Sequence, residues 1–123
     1  MNTALISLWN ITQEHPGTGA AKAAVHILLG LYNSDRFPMP LSLLRSFDGK
    51  NLVAALEVIE RAARGTSELH TVLDDITRRT DFGRRFEQLA HDYKLKGRCK
   101  KEHLSSFSPA RLVLTTVAAA GTD

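Results

Sequence analysis

Five histidines (His15, His26, His70, His91 and His103) and one cysteine, Cys99, are the residues of this 123-residue chain best suited to nucleophilic or metal chemistry. Their spacing argues against both. No two histidines form His-x-x-x-His. A single thiol can neither close an internal disulfide nor complete a zinc tetrahedron without several histidines beside it. His70 with Asp74, and Glu87 with His91, stand four residues apart, the separation at which side chains meet on a helix. Such a pair becomes a catalytic dyad only when a nucleophile and a substrate pocket adjoin it. The sequence offers neither, so hydrogen bonding on a helix surface is the expected role. Gly17-Thr18-Gly19 lacks the Lys-Ser/Thr pair and the preceding strand of a phosphate-cradling loop. Asp74 and Asp75 are adjacent carboxylates, but their position suits the closing of a helix. The expectation is a protein with no enzymatic activity, no cofactor and no metal.

Charge stands out more than reactivity. The chain carries a formal net charge of +3. Residues 1–60 hold four bases against five acids, whereas residues 61–123 hold twelve against eight. Nine bases crowd into residues 78–101: Arg78, Arg79, Arg84, Arg85, Lys94, Lys96, Arg98, Lys100 and Lys101. Only three acids lie among them. A concentration of this kind attracts polyanions or acidic protein surfaces and speeds encounter, and each neutralised phosphate adds counterion release. These nine residues are therefore the expected partner-binding footprint. A protein partner is the first expectation and nucleic acid the second. Against both stands ordinary solvated surface, since Asp74-Asp75-Ile76-Thr77-Arg78-Arg79 sets acid next to base and invites pairing within the chain. The acids Glu57, Glu60, Asp74 and Asp75 are too few to make a strong phosphate mimic.

Helices must position these groups. Leu5, Leu8, Trp9 and Thr12 recur at three and four, predicting a helix over 4–14 that stops at His15-Pro16-Gly17. Thr18 reads as the N-cap of a second helix running to Tyr32, with His26 on its apolar face as a partly buried, hydrogen-bonded histidine. Pro38 and Pro40 bar a helix between Asn33 and Pro40, yet Phe37 and Met39 are apolar, so this loop is expected to pack down. A short helix follows over Leu41 to Phe47. Asp48 then caps the next, whose stripe Leu52, Leu56, Ile59 and Ala63 is opposed by the i,i+4 pairs Glu57–Arg61 and Glu60–Arg64. Gly65 stops it. Thr66 or Ser67 opens a helix bearing Leu69, Val72, Leu73 and Ile76, and Asp81 opens one bearing Phe82, Phe86, Leu89, Ala90 and Tyr93. Residues 94–108 read as a basic loop, and Ser108-Pro109 opens a last helix over about 109–120. Leu112 to Val117 is β-branched enough for a strand, but a solitary strand would leave its edges unpaired, so helix is the expectation.

The fold class is therefore all-α, a single domain over 1–123 of about six or seven short helices around one core. Trp9, Phe37, Met39 and Phe47 fall mainly at core positions, and any exposed remainder would point to a protein-binding face. No apolar run approaches the ~20 residues that cross a bilayer, and Met1 to Leu5 lacks the basic start of a secretory signal. A cytoplasmic protein with no membrane contact is expected.

The stretch from His26 to Asp48 ends a helix in Leu28-Leu29-Gly30-Leu31-Tyr32-Asn33. It then carries Phe37 in a loop and closes a short Leu41-x-x-Leu44 helix with Asp48. With the helix from Leu52 to Ile59 and the Phe86-x-x-Leu89 segment, it resembles a family of small proteins without assigned activity. Those proteins are carried on integrative conjugative elements and plasmids of proteobacteria. The resemblance spans roughly residues 20–95 and leaves out the first helix and the basic C-terminal part. It implies a mobile-element setting. The expected function is then non-enzymatic macromolecule binding, one form of which is inhibition of a host defence complex in the manner of an anti-CRISPR protein. The alternative is a basic DNA- or RNA-binding accessory or regulator.

Overall fold

Cap and stop residues divide the chain into helices largely where their side-chain chemistry dictates. The computed structural model describes residues 2–65, 67–95 and 111–115. Helix α1 (Asn2–Glu14) ends before His15-Pro16-Gly17. There Gly17 turns the chain at φ +87°, a conformation that glycine adopts without the Cβ penalty. Helix α2 (Gly19–Tyr32) starts at the expected cap, with the Thr18 hydroxyl oxygen accepting from the Ala21 N–H at 3.1 Å. A cap of this kind is worth about 1 kcal/mol. Ala21, Ala23, Ala24, Val25, Ile27, Leu28 and Leu29 are all buried, so α2 is apolar almost all round. Such a helix belongs inside a bundle. It touches every other helix of the described residues and forms the axis on which they pack.

The loop after α2 does pack down, with Phe37 buried and Met39 half-buried. It lies close because Gly30 has no side chain. A Cβ there would stand 3.2 Å from Met39 Cβ and 3.3 Å from the Phe37 carbonyl oxygen. Leu41–Ser46 is a 3-10 helix rather than an α-helix, its first bond running from the Leu43 N–H to the Pro40 carbonyl. Helix α3 (Gly49–Arg64) is capped by the Asp48 carboxylate, which accepts from the Asn51 N–H at 2.8 Å. Its buried side is turned relative to the expected stripe. Ala55 and Val58 are buried, Leu52 and Ile59 are half-buried, and Leu56 and Ala63 are exposed. Small residues at the contact let α3 approach α1 and α2, which leaves the larger leucines at its border.

Helix α4 (Leu69–Thr77) begins after Glu68, later than Thr66 or Ser67 would have started it. It stops where Arg78 enters the left-handed region at φ 57°. Helix α5 (Phe82–Asp92) buries Phe82, Phe86, Leu89 and Ala90 as expected. Trp9 joins α1 to α5, stacking on Phe86 at a centroid distance of 5.9 Å and meeting Phe82 edge-on at 5.2 Å. Aromatic pairs of this geometry add about 0.5–1.5 kcal/mol each beyond the area they bury.

The described part of the expected last helix is not helical. Residues 111–115 alternate, with Leu112 and Leu114 half-buried and Arg111, Val113 and Thr115 exposed. That is the period-two pattern of an extended segment. The objection to a lone strand was its unpaired backbone, and here side chains of α1 satisfy it. The Trp9 indole donates to the Leu112 carbonyl, and the Asn10 amide bonds both the N–H and the C=O of Leu114. The rest of the expected 109–120 helix lies outside the described residues. Among the described residues there are five α-helices, one 3-10 helix and no strand, an all-α fold. No helix among them is long and apolar enough to cross a membrane.

Candidate interaction surface

The turn joining α4 to α5 is built around Asp74. Its backbone carbonyl accepts from the N–H groups of both Arg78 and Arg79, and its carboxylate accepts from the Phe82 N–H at 3.0 Å. One residue thus closes α4 and caps α5, satisfying donors that a helix start leaves unpaired. The turn holds Arg78 and Arg79 outward, both exposed, and Arg84 is exposed in the first turn of α5. Arg79 leans towards Asp81 at 3.8 Å, a long, solvated pair of little energetic weight.

Arg85 does not belong to this surface. It is 6% exposed, and its Nε donates to Asp81 at 3.0 Å. The helical period explains this: Arg84 faces solvent, and its neighbour is carried about 100° round the axis, onto the face of Phe82 and Phe86. Lys94 is exposed just beyond the C-terminal end of α5. Arg84 to Asp92, the last residue of α5, is eight residues at ~1.5 Å rise, about 12 Å, so Lys94 lies by the opposite end of the helix. Lys96, Arg98, Lys100 and Lys101 lie outside the described residues, as do Cys99 and His103. Of the nine expected cations, then, three gather at one corner, one lies at the far end of α5 and one is inside.

The strongest polar arrangement is one that periodicity did not point to. Glu87 is 1% exposed, and Arg36 grips it with two parallel bonds, Nη1 to Oε2 at 2.9 Å and Nη2 to Oε1 at 2.6 Å. The Tyr32 hydroxyl donates to the same Oε2. Bidentate guanidinium–carboxylate bonds are among the strongest available to side chains. The Arg36 guanidinium also lies 4.6 Å from the Phe37 ring centroid. Burial, helped by the adjacent carboxylate, pushes the Tyr32 hydroxyl up to about 12, while the Glu87 hydrogen bond holds Arg36 above its ordinary value. Glu87 therefore serves Arg36 and Tyr32 rather than forming the surface pair expected with His91. Nor is Asp74 a surface partner for His70, since it caps α5. The His70 ring instead meets Tyr32 and Phe86 edge-on. The Nδ1 atoms of His26, His70 and His91 are buried without a hydrogen-bond partner among the described residues. Among those residues, no group of three or more His, Cys, Asp or Glu could hold a metal ion.

A second surface is apolar. Ile27, Gly30, Leu31, Ser34, Met39, Leu41 and Ile59 line an open groove of about 190 Å³. Leu41 in its lining is 75% exposed, and Leu56 on the border of α3 is 49% exposed. Of the set Trp9, Phe37, Met39 and Phe47, three are buried core residues and Met39 is half-buried at the groove.

The sequence model of a family of unknown function (DUF7673) matches residues 2–94, so the chain belongs to that family. The match takes in α1, which the resemblance read from the sequence had left out. No curated protein and no solved structure matches the chain.

Proposed function

Proceeding from membership of that family, we propose that this protein is a non-enzymatic binding module that docks an acidic surface on a protein partner through the α4–α5 corner. The observation that carries the reading is the exposure of Arg78 and Arg79 on a turn fixed by Asp74, with Arg84 exposed in the first helical turn that follows. Cations fixed in place lose less freedom on binding than the same cations on a wandering loop. The finer reading places the partner in the cytoplasm as a host or element complex met by a mobile genetic element. Inhibition of a defence complex, as an anti-CRISPR protein does, is one form of it. Nucleic acid is the competing partner because the same corner suits phosphates.

Two defined probes separate these, a polyglutamate chain and a random-sequence DNA duplex. The proposal expects polyglutamate to bind at low salt. Arg78→Glu, Arg79→Glu and Arg84→Glu combined should weaken it by about tenfold or more, with the melting temperature little changed. Arg85→Glu is unsuitable because it would bury a second carboxylate beside Asp81. Preferential duplex binding whose affinity falls steeply with salt would instead assign the corner to nucleic acid. Failure of both probes to bind would overturn the proposal.

A further inference from the structure

Helix α1 presents three side chains with polar atoms on one face, Trp9, Asn10 and Gln13, and all three are buried. Their partners in residues 111–115 are almost wholly main-chain atoms. Asn10 Nδ2 donates to the Leu114 carbonyl at 2.9 Å, and the Leu114 N–H donates to Asn10 Oδ1 at 2.7 Å. The Leu112 N–H donates to Gln13 Oε1 at 3.1 Å, and Trp9 Nε1 donates to the Leu112 carbonyl at 2.8 Å. All four backbone polar groups of the two half-buried residues are thereby satisfied without a neighbouring strand. A carboxamide carries a donor and an acceptor side by side, as a peptide group does. Asn10 consequently reproduces the two-bond exchange that opposed residues make in an antiparallel ladder.

Gln13 is also held from within α1. The Thr12 hydroxyl donates to the Trp9 carbonyl at 2.6 Å, and Gln13 Nε2 donates to Thr12 Oγ1 at 3.0 Å, which turns Gln13 Oε1 towards the segment. Beyond it, Arg111 Nη1 donates to the Gln13 carbonyl at 2.8 Å. Carbonyls at a helix C-terminus lack intrahelical donors and favour cations. The pattern recognised is thus an extended backbone, apolar at two alternate positions and basic just before the first. The readers lie inside residues 2–94, the span of the family match, and the segment they read lies outside it.

We infer that this face of α1 is a backbone-reading site for an extended partner peptide of the pattern base-apolar-x-apolar, which the chain's own residues 111–114 occupy in cis. The site is separate from the cationic corner and does not depend on that reading. Main-chain bonds supply the affinity and the alternate apolar positions the selectivity, as in strand addition to a sheet edge. A tethered occupant acts at an effective concentration of order mM, so a free peptide of equal affinity competes in that range.

The test uses the full chain and a synthetic peptide of sequence Ala-Arg-Leu-Val-Leu-Thr-Thr, with amide exchange at Leu114 and the Asn10 side-chain NMR signals as readouts. Peptide at mM levels should accelerate Leu114 exchange in a concentration-dependent way and leave the amides of α2 unchanged. A control peptide with both leucines replaced by aspartate should do nothing. In the full chain, Leu114→Asp should tighten peptide binding by about tenfold by weakening the tethered competitor, and Asn10→Ala should abolish it. An unaltered Leu114 exchange rate together with unmoved Asn10 signals would overturn the inference. So would an equal response to the control peptide. A dimer in sedimentation, in place of a peptide complex, would assign the face to a second copy and overturn it as well.

Discussion

Two regions of this molecule put the arginine side chain to opposite uses. At the α4–α5 corner, Arg78, Arg79 and Arg84 remain in water, and the nearest acid to Arg79 stands at 3.8 Å. At the junction of α2, the following loop and α5, Arg36 meets an almost fully buried Glu87 in a two-pronged grip shared with Tyr32. The exposed arginines contribute little to stability and are available for binding. The pair offers little to an external surface, since Glu87 is almost fully buried, and removing Arg36 would leave that carboxylate charged and desolvated. Residue type alone therefore does not say which arginines a partner could reach; solvation does.

The largest test of that contrast is Glu87→Ala. It removes the carboxylate shared by Arg36 and the Tyr32 hydroxyl, and should lower unfolding free energy by about 3 kcal/mol, the low end for a buried pair because Arg36 is partly exposed. Chemical denaturation reads this directly, and an effect as small as that of Arg84→Glu would erase the distinction between the regions. Tyr32→Phe is the intermediate case. The wild-type hydroxyl titrates at about 12 in the folded state against 10.0 unfolded, so the folded protein holds its proton more tightly. The stability this confers is complete below pH 10 and is lost as pH rises from about 10 to about 12. Melting curves across that window should fall less steeply for Tyr32→Phe than for the wild type. The smallest effect is on the corner itself. Asp74→Ala removes the carboxylate that caps α5 and should lower stability by about 1 kcal/mol, with hydrogen exchange quickened at the Phe82 amide.

Local chemistry made most of the helices legible. Thr18 and Asp48 announce α2 and α3 because a side-chain oxygen placed before an apolar run can do little else so well, and Gly65 closes α3 for a similar local reason. The side that α3 buries was not legible. Leu52, Leu56, Ile59 and Ala63 form the better apolar stripe, yet close helix packing selected Ala55 and Val58. The corner could be found in part, since an acid-then-base run between two helical patterns marks a turn. Arg85 was separable from Arg84 by period alone, since it stands three residues after Phe82 and four before Leu89, on the expected apolar stripe of α5. The Arg36–Glu87 pair joins residues 51 apart, and Glu87 looks like an ordinary surface acid four before His91. Residues 111–115 were misread because the partners of their backbone lie about a hundred residues earlier, as side chains rather than as a second strand.

The chain contains one tryptophan. Its ring is wedged between Phe82 and Phe86, and its N–H ends on the Leu112 carbonyl. Tryptophan emission, excited selectively at the red edge of the absorption band, therefore arises at a single point where the interior and the 111–115 segment meet. Lifting that segment would admit water to the indole and shift its spectrum to the red while circular dichroism stayed constant. The protein thus carries its own optical gauge, able to distinguish release of one strap from collapse of the bundle.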